Sequence, residues 1–554
     1  MLALLGALSG AGCQDLIVDN TMDADRERAT ANPEDVEAFI GGAFFPPFFE
    51  AIHDDVQVIA AWLTAASDMT ATMAGQSTLL QYQELVEPRV PHDNGAVLSL
   101  GNGPQGPRDF WAGVTRASSV AYDGLQLIDE GMVILDNGVD VTPRAEAFAK
   151  FMQGWSWGYL GLVFDRSHVL PETIDIPADP AALRETTLNS LAEYPEAVEA
   201  AVGALEEAIA IAEANPAVVH YPGFSESSLW FGSAAPISNA TFIQMANTLA
   251  ARLLVLNART PAERDAVDWD RVLRFTANGL WTDDFEIQLS TSRNSELLLL
   301  AQSNTPSGER NARWDYRTTG PADHSGAYQA WIAAPLSERK RFDIVTPDRR
   351  ITGPTPTSDG AYTRYRADNN GFIPDRGEYL FSAYQWGRHA IEQGLVGEAN
   401  TGFNSGTLAL ITADENALLR AEALLRTGDP AGAAEMINVT RTRSRTIGME
   451  TYPGLPPVTA AGVPEVGGEC VPRTDSGECG TLLDAIRYER MIELAAMDAF
   501  RGYAESRGWG ILPDGALLHW PIPGNVLDLY GLEGYTFGGV GNPGTATYAP
   551  ATLP

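Results

Sequence analysis

ITADENALLRAEALLRTGDPAGAAEMINVTRTRS, residues 411–444, encodes two helices and the turn between them. Leu418, Ala421 and Leu425 fall at helical spacing. Gly428 suits the left-handed position just past a helix end, Asp429 can cap the next helix, and Pro430 fits its first turn. Ala433, Ala434 and Ile437 give the second helix a small-residue face. The pattern predicts a tight helical hairpin whose alanine-rich surfaces let two helices approach closely.

Working outward, similar units recur. Residues 240–280, ATFIQMANTLAARLLVLNARTPAERDAVDWDRVLRFTANGL, predict a helix through Leu249 and Leu253, an acidic connector, and a shorter helix about Val272 and Phe275 ending at Gly279. In YPEAVEAAVGALEEAIAIAEAN, Val198, Val202, Leu205, Ile209 and Ala212 form one stripe. That stripe is matched to the aromatic helix AFAKFMQGWSWGYLGLVF before it. Helical pairs in units of about 34 residues resemble tetratricopeptide repeats, which stack into a scaffold. The fold class expected is mostly α, with tetratricopeptide-type pairs on one side, a loop-rich second side and little β. Long loops fall at 88–109, 215–240, 302–328, 343–378 and 446–480, and loops of this length are usually functional or disordered.

Composition narrows the function. Over 554 residues, 37 basic side chains face 72 acidic ones, a net charge of -35 that repels phosphate backbones and anionic headgroups. Nucleic acid is excluded as a partner on that ground. Lysine occurs only at Lys150 and Lys340, so nearly every cation is an arginine. After the first dozen residues no stretch stays apolar for the roughly 20 positions of a membrane-spanning helix. The opening MLALLGALSGAG is short, apolar and ends in small residues before Cys13, as the core and cleavage zone of a secretory signal do. It lacks a positively charged start, and Gly10 stands where bacterial lipoprotein signals usually carry Leu or Val.

Three cysteines is an odd number. Two of them, in GGECVPRTDSGECG, lie close together in a stretch that cannot be helical, and Cys470 with Cys479 reads as a local disulfide of an oxidising compartment. Two cysteines without nearby histidines fall short of four zinc ligands. Cys13 is then left over directly after a signal-like run, which is what a thioether lipid anchor requires. The division expected is residues 1–12 as a lipoprotein signal and 13–554 as one domain, with loop insertions at about 302–378 and 446–480.

Several loops carry aromatics beside arginine and amides: SESSLWFGS, NARWDYRTTG and AYTRYRADNNGFIPDRGEY. Rings that stack and guanidinium forks that read hydroxyls or carboxylates are a means of holding sugars or peptides. Trp230, Trp314, Tyr316 and Arg317 are the ligand-binding residues expected from this composition. The seven histidines, His53, His168, His324 and His519 among them, are never at metal-ligand spacing. GNGPQG at 101–106 matches a dinucleotide fingerprint only formally, because prolines at 104 and 107 stand where N–H donors are needed. Neither a GxSxG nor a Walker-type loop occurs. Asp368, Asn370 and Asp375 have calcium-like composition without the twelfth-position glutamate, and read as a solvated turn. No metal, cofactor or catalytic residue is expected, although 72 acidic residues leave helical glycosidase or lyase chemistry open.

Several segments, in order, resemble the SusD/RagB family of outer-membrane nutrient-binding lipoproteins. LLDAIRYERMIELAAMDAFRGYAESRGWGIL resembles that family's C-terminal helix through Ile486, Glu489, Arg490, Glu493, Leu494, Arg501, Trp509 and Gly510, departing from it at Asp498, Ala499 and Glu505. WPIPGNVLD follows as its Pro-rich sequel. The opening hairpin is similar through Ala421, Glu422, Ala423, Gly428, Ala434, Ile437, Asn438, Arg441 and Arg443. AKFMQGWSWGYLGLVFDRSHV and FWAGVTRASSVAYDGLQLIDE resemble early helices of the family. Arg490 and Glu493 on one helix suggest a buried arginine network joining the last helix to the repeats. The resemblance implies a lipid-anchored protein on the outer face of the outer membrane. It implies that the protein binds oligosaccharides or peptides without catalysis and passes them to a TonB-dependent, SusC-like transporter, the loops holding ligand and the repeats meeting the barrel. A protein-binding repeat scaffold is the remaining alternative.

Overall fold

The computed structural model describes residues 32–53, 59–71, 89–94, 106–225, 230–289, 313–368, 377–388, 391, 406–495 and 500–540. Cys13, the first five residues of GNGPQG, Asn370 and Asp375 lie outside them. The longer helices are α1 (Pro33–Gly41), α2 (Ile59–Ala66), α3 (Pro107–Asp129), α4 (Thr142–Val163), α5 (Pro180–Asn189), α6 (Tyr194–Ala214), α7 (Asn239–Leu256), α8 (Trp269–Ala277), α9 (Ala413–Arg426), α10 (Pro430–Arg441), α11 (Leu482–Glu493), α12 (Arg501–Gly508) and α13 (Gly524–Tyr530).

Strands are short: β1 (Thr70–Ala71), β2 (Leu135–Asp136), β3 (Val139–Asp140), β4 (Arg166–His168), β5 (Leu191–Glu193), β6 (Phe285–Leu289), β7 (Arg313–Trp314), β8 (Thr363–Tyr365), β9 (Tyr384–Trp386), β10 (Gly406–Ile411), β11 (Arg445–Ile447) and β12 (Glu450–Tyr452). They form one four-stranded sheet, ordered β1-β7-β9-β8, and four antiparallel pairs. The mostly helical architecture with little β expected from the sequence is the one observed.

α4 explains the packing. Every residue from Phe151 to Val163 is buried, as befits a helix whose second half is enclosed on all sides. Its glycines allow close approach on several sides. A Cβ on Gly154 would meet Leu205 Cγ at 2.7 Å, one on Gly158 would meet Leu253 Cδ1 at 2.5 Å, and one on Gly161 would meet Val198 Cγ2 at 2.9 Å. The valine and leucine stripe of α6 therefore nests on the aromatic helix as its spacing predicts, and α7 packs on another side. α3 runs antiparallel along α4.

The hairpin of residues 411–444 forms α9 and α10. Gly428 takes φ 92°, and the Asp429 side chain accepts from the Gly432 N–H at 2.9 Å, with Pro430 in the first turn. Thr412 caps α9 by accepting from Glu415 N–H at 3.1 Å.

Buried arginine–carboxylate clusters tie these helices to the last ones. Arg264, in the short helix Pro261–Asp265, reaches Glu422 of α9 at 2.6 Å and Glu505 of α12 at 2.8 Å. Arg490 of α11 reaches the same two carboxylates at 2.7 and 3.0 Å. Glu493 of α11 faces Arg350, Arg388 and Arg445 at 3.2, 3.2 and 2.6 Å and accepts from Tyr362 OH at 2.8 Å. Arg252 of α7 grips Glu415 at 2.6 Å, and Arg501 meets it at 2.8 Å. The arginine network expected about Arg490 and Glu493 is thus present, and it is more extensive than that pair suggested.

Cys470 and Cys479 are joined by a disulfide with Cα atoms 5.6 Å apart. It closes a turn-rich loop in which Cys470 is buried and its carbonyl lies 2.9 Å from His324 Nε2. Among the described residues, no helix is long and apolar enough to cross a membrane.

Candidate functional site

The aromatics expected on an exposed loop rim are inside. Trp314, on β7, is 0% exposed and packs edge-on to Trp386 of β9. Tyr316 is buried with its ring stacked 4.0 Å from Phe342, its hydroxyl donating to the Phe342 carbonyl at 2.7 Å. Trp230 is buried too, edge-on to Phe148 at 4.9 Å, with φ at 69°. Rings with no free face cannot stack on a solute, so these three are corrected to core residues that pin their loops. Arg317 is partly exposed, and its Nε is paired with Asp68 Oδ2 at 3.1 Å. The structure brings Trp314, Tyr316 and Arg317 to one neighbourhood and Trp230 to another, against α4.

A better-formed site lies on the helical side. Between α3, the end of α4, β4, α5 and α13 is a cavity of about 370 Å³. α3 contributes Thr115, Ser118, Ser119, Tyr122 and Asp123, and α4 contributes Trp157 and Leu160. His168 comes from β4, Leu170 and Ile176 from the loop that follows, Thr187 and Ser190 from α5 and its C-terminal cap, and Tyr530 from the end of α13. The α3 residues meet there because positions three and four apart share a helix face. This volume is at the lower end of the ~300–1,000 Å³ typical of ligand pockets, which suits one or two sugar rings rather than a long chain.

Hydrogen bonds fix the walls. Tyr122 OH donates to the Ile174 carbonyl at 2.6 Å and accepts from Gln126 Nε2 at 2.6 Å, holding the loop after β4 against α3. Ser190 Oγ donates to the Thr187 carbonyl at 2.8 Å, which commits its one proton. The 2.8 Å contact between Ser190 Oγ and His168 Nδ1 is therefore donated by the ring, and the 2.8 Å contact at Nε2 is accepted from Tyr530 OH. With its proton given to histidine, the Tyr530 oxygen offers the cavity lone pairs only. Arg184 Nε donates to the Tyr530 carbonyl at 3.1 Å and steadies the end of α13.

Burial pushes His168 down to about 4, although the Thr187 carbonyl works the other way. The Trp111 and Tyr530 rings stand edge-on to it at 5.5 and 5.9 Å, so the imidazole is neutral at physiological pH. Burial likewise raises the Tyr530 phenol to about 12. Asp123 is the one ionisable carboxylate in the lining, and neither Arg nor Lys is part of it. The Thr115 hydroxyl is buried and makes no hydrogen bond. Hydroxyl oxygens and the partly exposed Tyr530 ring can hold an uncharged polyhydroxylated solute, while an anion finds no counter-charge in the lining. A single carboxylate does not reproduce the acid and base pair that glycoside hydrolysis needs. Among the described residues no group of three His, Cys, Asp or Glu side chains is placed to hold a metal.

Sequence reading missed this cavity. The hydroxyl stripe Thr115, Ser118, Ser119 and Tyr122 at helical spacing was its one legible trace, whereas His168 and Tyr530 are 362 positions apart.

No family model matches the sequence, and no curated protein matches it. Many solved structures share its fold. A SusD superfamily protein from Parabacteroides distasonis is 12% identical with a TM-score of 0.55, the match covering 90% of this chain and 97% of that one. A SusD-like protein from Bacteroides fragilis is 13% identical with a TM-score of 0.52, covering 87% of each chain. A SusD-like carbohydrate binding protein, also from Bacteroides fragilis, is 15% identical at a TM-score of 0.52, covering 87% of this chain and 86% of that one. What these relations establish at such identities is the fold.

Proposed function

We propose that this chain, which carries the SusD-like fold, is a surface lipoprotein of a bacterial outer membrane that captures a sugar-sized nutrient reversibly and passes it to a TonB-dependent, SusC-like transporter. The observation that carries the reading is the hydroxyl-lined, cation-free cavity beside Trp157, Tyr122 and Tyr530. The fold it sits in is shared with a protein described as carbohydrate binding. The context of Cys13, a signal-like apolar run ending in small residues, supports lipid attachment at that thiol. The paired Cys470 and Cys479 accord with an oxidising compartment outside the cytosol.

Capture for handover needs only micromolar affinity, about -8 kcal/mol, which a stacked ring and several hydrogen bonds supply. Calorimetry against a glycan and peptide panel tests this with the wild type and Tyr530→Ala, Tyr530 being the partly exposed aromatic ring of the lining. Binding in the micromolar range that weakens about 10- to 30-fold in the variant supports the cavity as the site. Silence across the panel sinks the capture reading, and unchanged affinity in the variant moves the site elsewhere. Mass spectrometry of the mature N-terminus tests the anchor, an unacylated Cys13 being the contrary result. Co-purification from native membranes tests the barrel partner.

A further inference from the structure

The lining of the cavity is unevenly supplied with hydrogen-bond donors and acceptors. Each hydroxyl has one proton to give, and five of them have given it to the protein. Ser119 Oγ donates to the Thr115 carbonyl at 3.0 Å and Thr187 Oγ1 to the Leu183 carbonyl at 2.8 Å, each within its own helix. The protons of Tyr122, Ser190 and Tyr530 go to Ile174, Thr187 and His168. Both ring nitrogens of His168 are engaged as well. The donors left over are on Ser118 and Trp157, residues 9% and 4% exposed, and on Thr115, whose oxygen is buried. The polar side chains a solute can reach are instead Ser119, which is exposed, and Asp123, Thr187 and Tyr530, which are partly so. Three of these four present oxygen lone pairs with the proton turned away, and the fourth is a carboxylate.

We propose that the captured solute carries a protonated primary amine, supplied by an amino sugar or by a lysine side chain, which donates to Asp123 and Ser119 on α3 while further donors of the solute meet the Thr187 and Tyr530 oxygens. This rests on the cavity being the capture site. Ser119 and Asp123 are four positions apart and share a helix face, so one ammonium, with three protons to give, can serve both. A neutral polyol can donate to the same oxygens, but only a cation also uses the charge of the carboxylate, and such charge-assisted bonds are about twice as strong as neutral ones. No Lys or Arg belongs to the lining, and Arg184 on α5 spends its guanidinium on the Tyr530 carbonyl. The net charge of -35 draws cations to the whole surface. What singles out this cavity is a carboxylate set among oxygens that can only accept.

The test titrates the full chain by calorimetry at about pH 6, where a primary amine is protonated. Glucosamine, galactosamine and mannosamine are set beside glucose, galactose and mannose and beside their own N-acetyl forms, and a blocked lysine amide beside its norleucine counterpart. At least one amine binds about tenfold tighter than its neutral partner, and acetylation removes the gain. Whether the sugars or the lysine amide show it identifies the carrier. Asp123→Asn abolishes the advantage and Asp123→Glu keeps most of it. In the wild type alone, the advantage shrinks as sodium chloride is raised from about 0.05 to 0.5 M. Equal affinity of amine and neutral forms, or a preference indifferent to salt, overturns the inference and leaves capture standing. An amine preference that survives in Asp123→Asn belongs to the acidic surface at large and overturns it too. Silence from every amine, with binding elsewhere in the glycan and peptide panel, overturns the inference alone, whereas silence across both ends the capture reading with it.

Discussion

At the scale of single residues, the cavity's chemistry turns on who owns which proton. Tyr530 gives its hydroxyl proton to His168, and His168 gives its own to Ser190. Tyr530→Phe keeps the ring and removes the hydroxyl, leaving Nε2 without a donor. Solute binding is expected to weaken about five- to tenfold, roughly 1 kcal/mol, and the thermal midpoint to fall as well, because the His168 Nε2 acceptor is left unmet. Calorimetry and a melting curve on the same sample read both effects. Asp165 sets a second proton-dependent contact. Its carboxylate is raised to about 6, chiefly by burial, although it accepts from Tyr535 OH at 2.8 and 2.9 Å. A folded value above the unfolded one means that this group's support is complete at low pH and is lost as pH rises through about 6. Asp165→Asn is therefore expected to gain about 1 kcal/mol at pH near 8 and nothing at pH near 4, a difference that melting curves at the two pH values resolve. Of the site, only the helical spacing of the α3 hydroxyls could be read beforehand. Trp314 and Tyr316 misled because an aromatic beside an arginine has the same composition whether the ring holds a ligand or its own loop.

At the scale of elements, sequence and structure agree most closely where the signal is local. The α9–α10 turn was legible in full, because Gly428, Asp429 and Pro430 each do one conformational job set by the backbone within a few residues. Gly428→Ala forces a Cβ into the left-handed region and is expected to cost about 1 kcal/mol in chemical denaturation. The nesting of α6 on α4 was legible from spacing, but the depth of approach was not. By propensity alone Gly154 and Gly158 weaken a helix, and only the close approach of Leu205 and Leu253 gives them a purpose. Gly158→Val pushes two methyl groups into Leu253, where even a single Cβ has 2.5 Å. The expected loss is about 1–3 kcal/mol, read as a lower denaturation midpoint with an unchanged slope. The small β sheets were not foreseen, since strands of two or three residues are too short to show alternation.

At the scale of the whole molecule, the charge balance hides a division of labour: an acidic exterior encloses clusters in which carboxylates are caged by arginine. Burial alone raises the Glu422 carboxyl, but Arg264 and Arg490 outweigh it and hold it down at about 2. Burial of Glu493 is outweighed in the same way by Arg388, Arg445 and Arg350, which keep it well below the usual carboxylate range. For both groups the folded value is depressed, so their support is present above about 4.5 and drains away as pH falls toward 2. Thermal midpoints are expected to fall steeply below about pH 4.5, opposite in sign to the Asp165 effect. Arg264→Leu leaves the buried Glu422 and Glu505 to share Arg490, with only the longer contact of Arg426 to Glu422 beside it, and a loss of about 3–5 kcal/mol is expected in denaturant titration. The cavity itself has a wall from each half of the chain: α3 to α5 on one side, and on the other a helix that begins only at Gly524. A nascent or C-terminally clipped polypeptide, however well its repeats have stacked, is a bowl with a side missing. Retention of solute would then certify that synthesis had passed Tyr530.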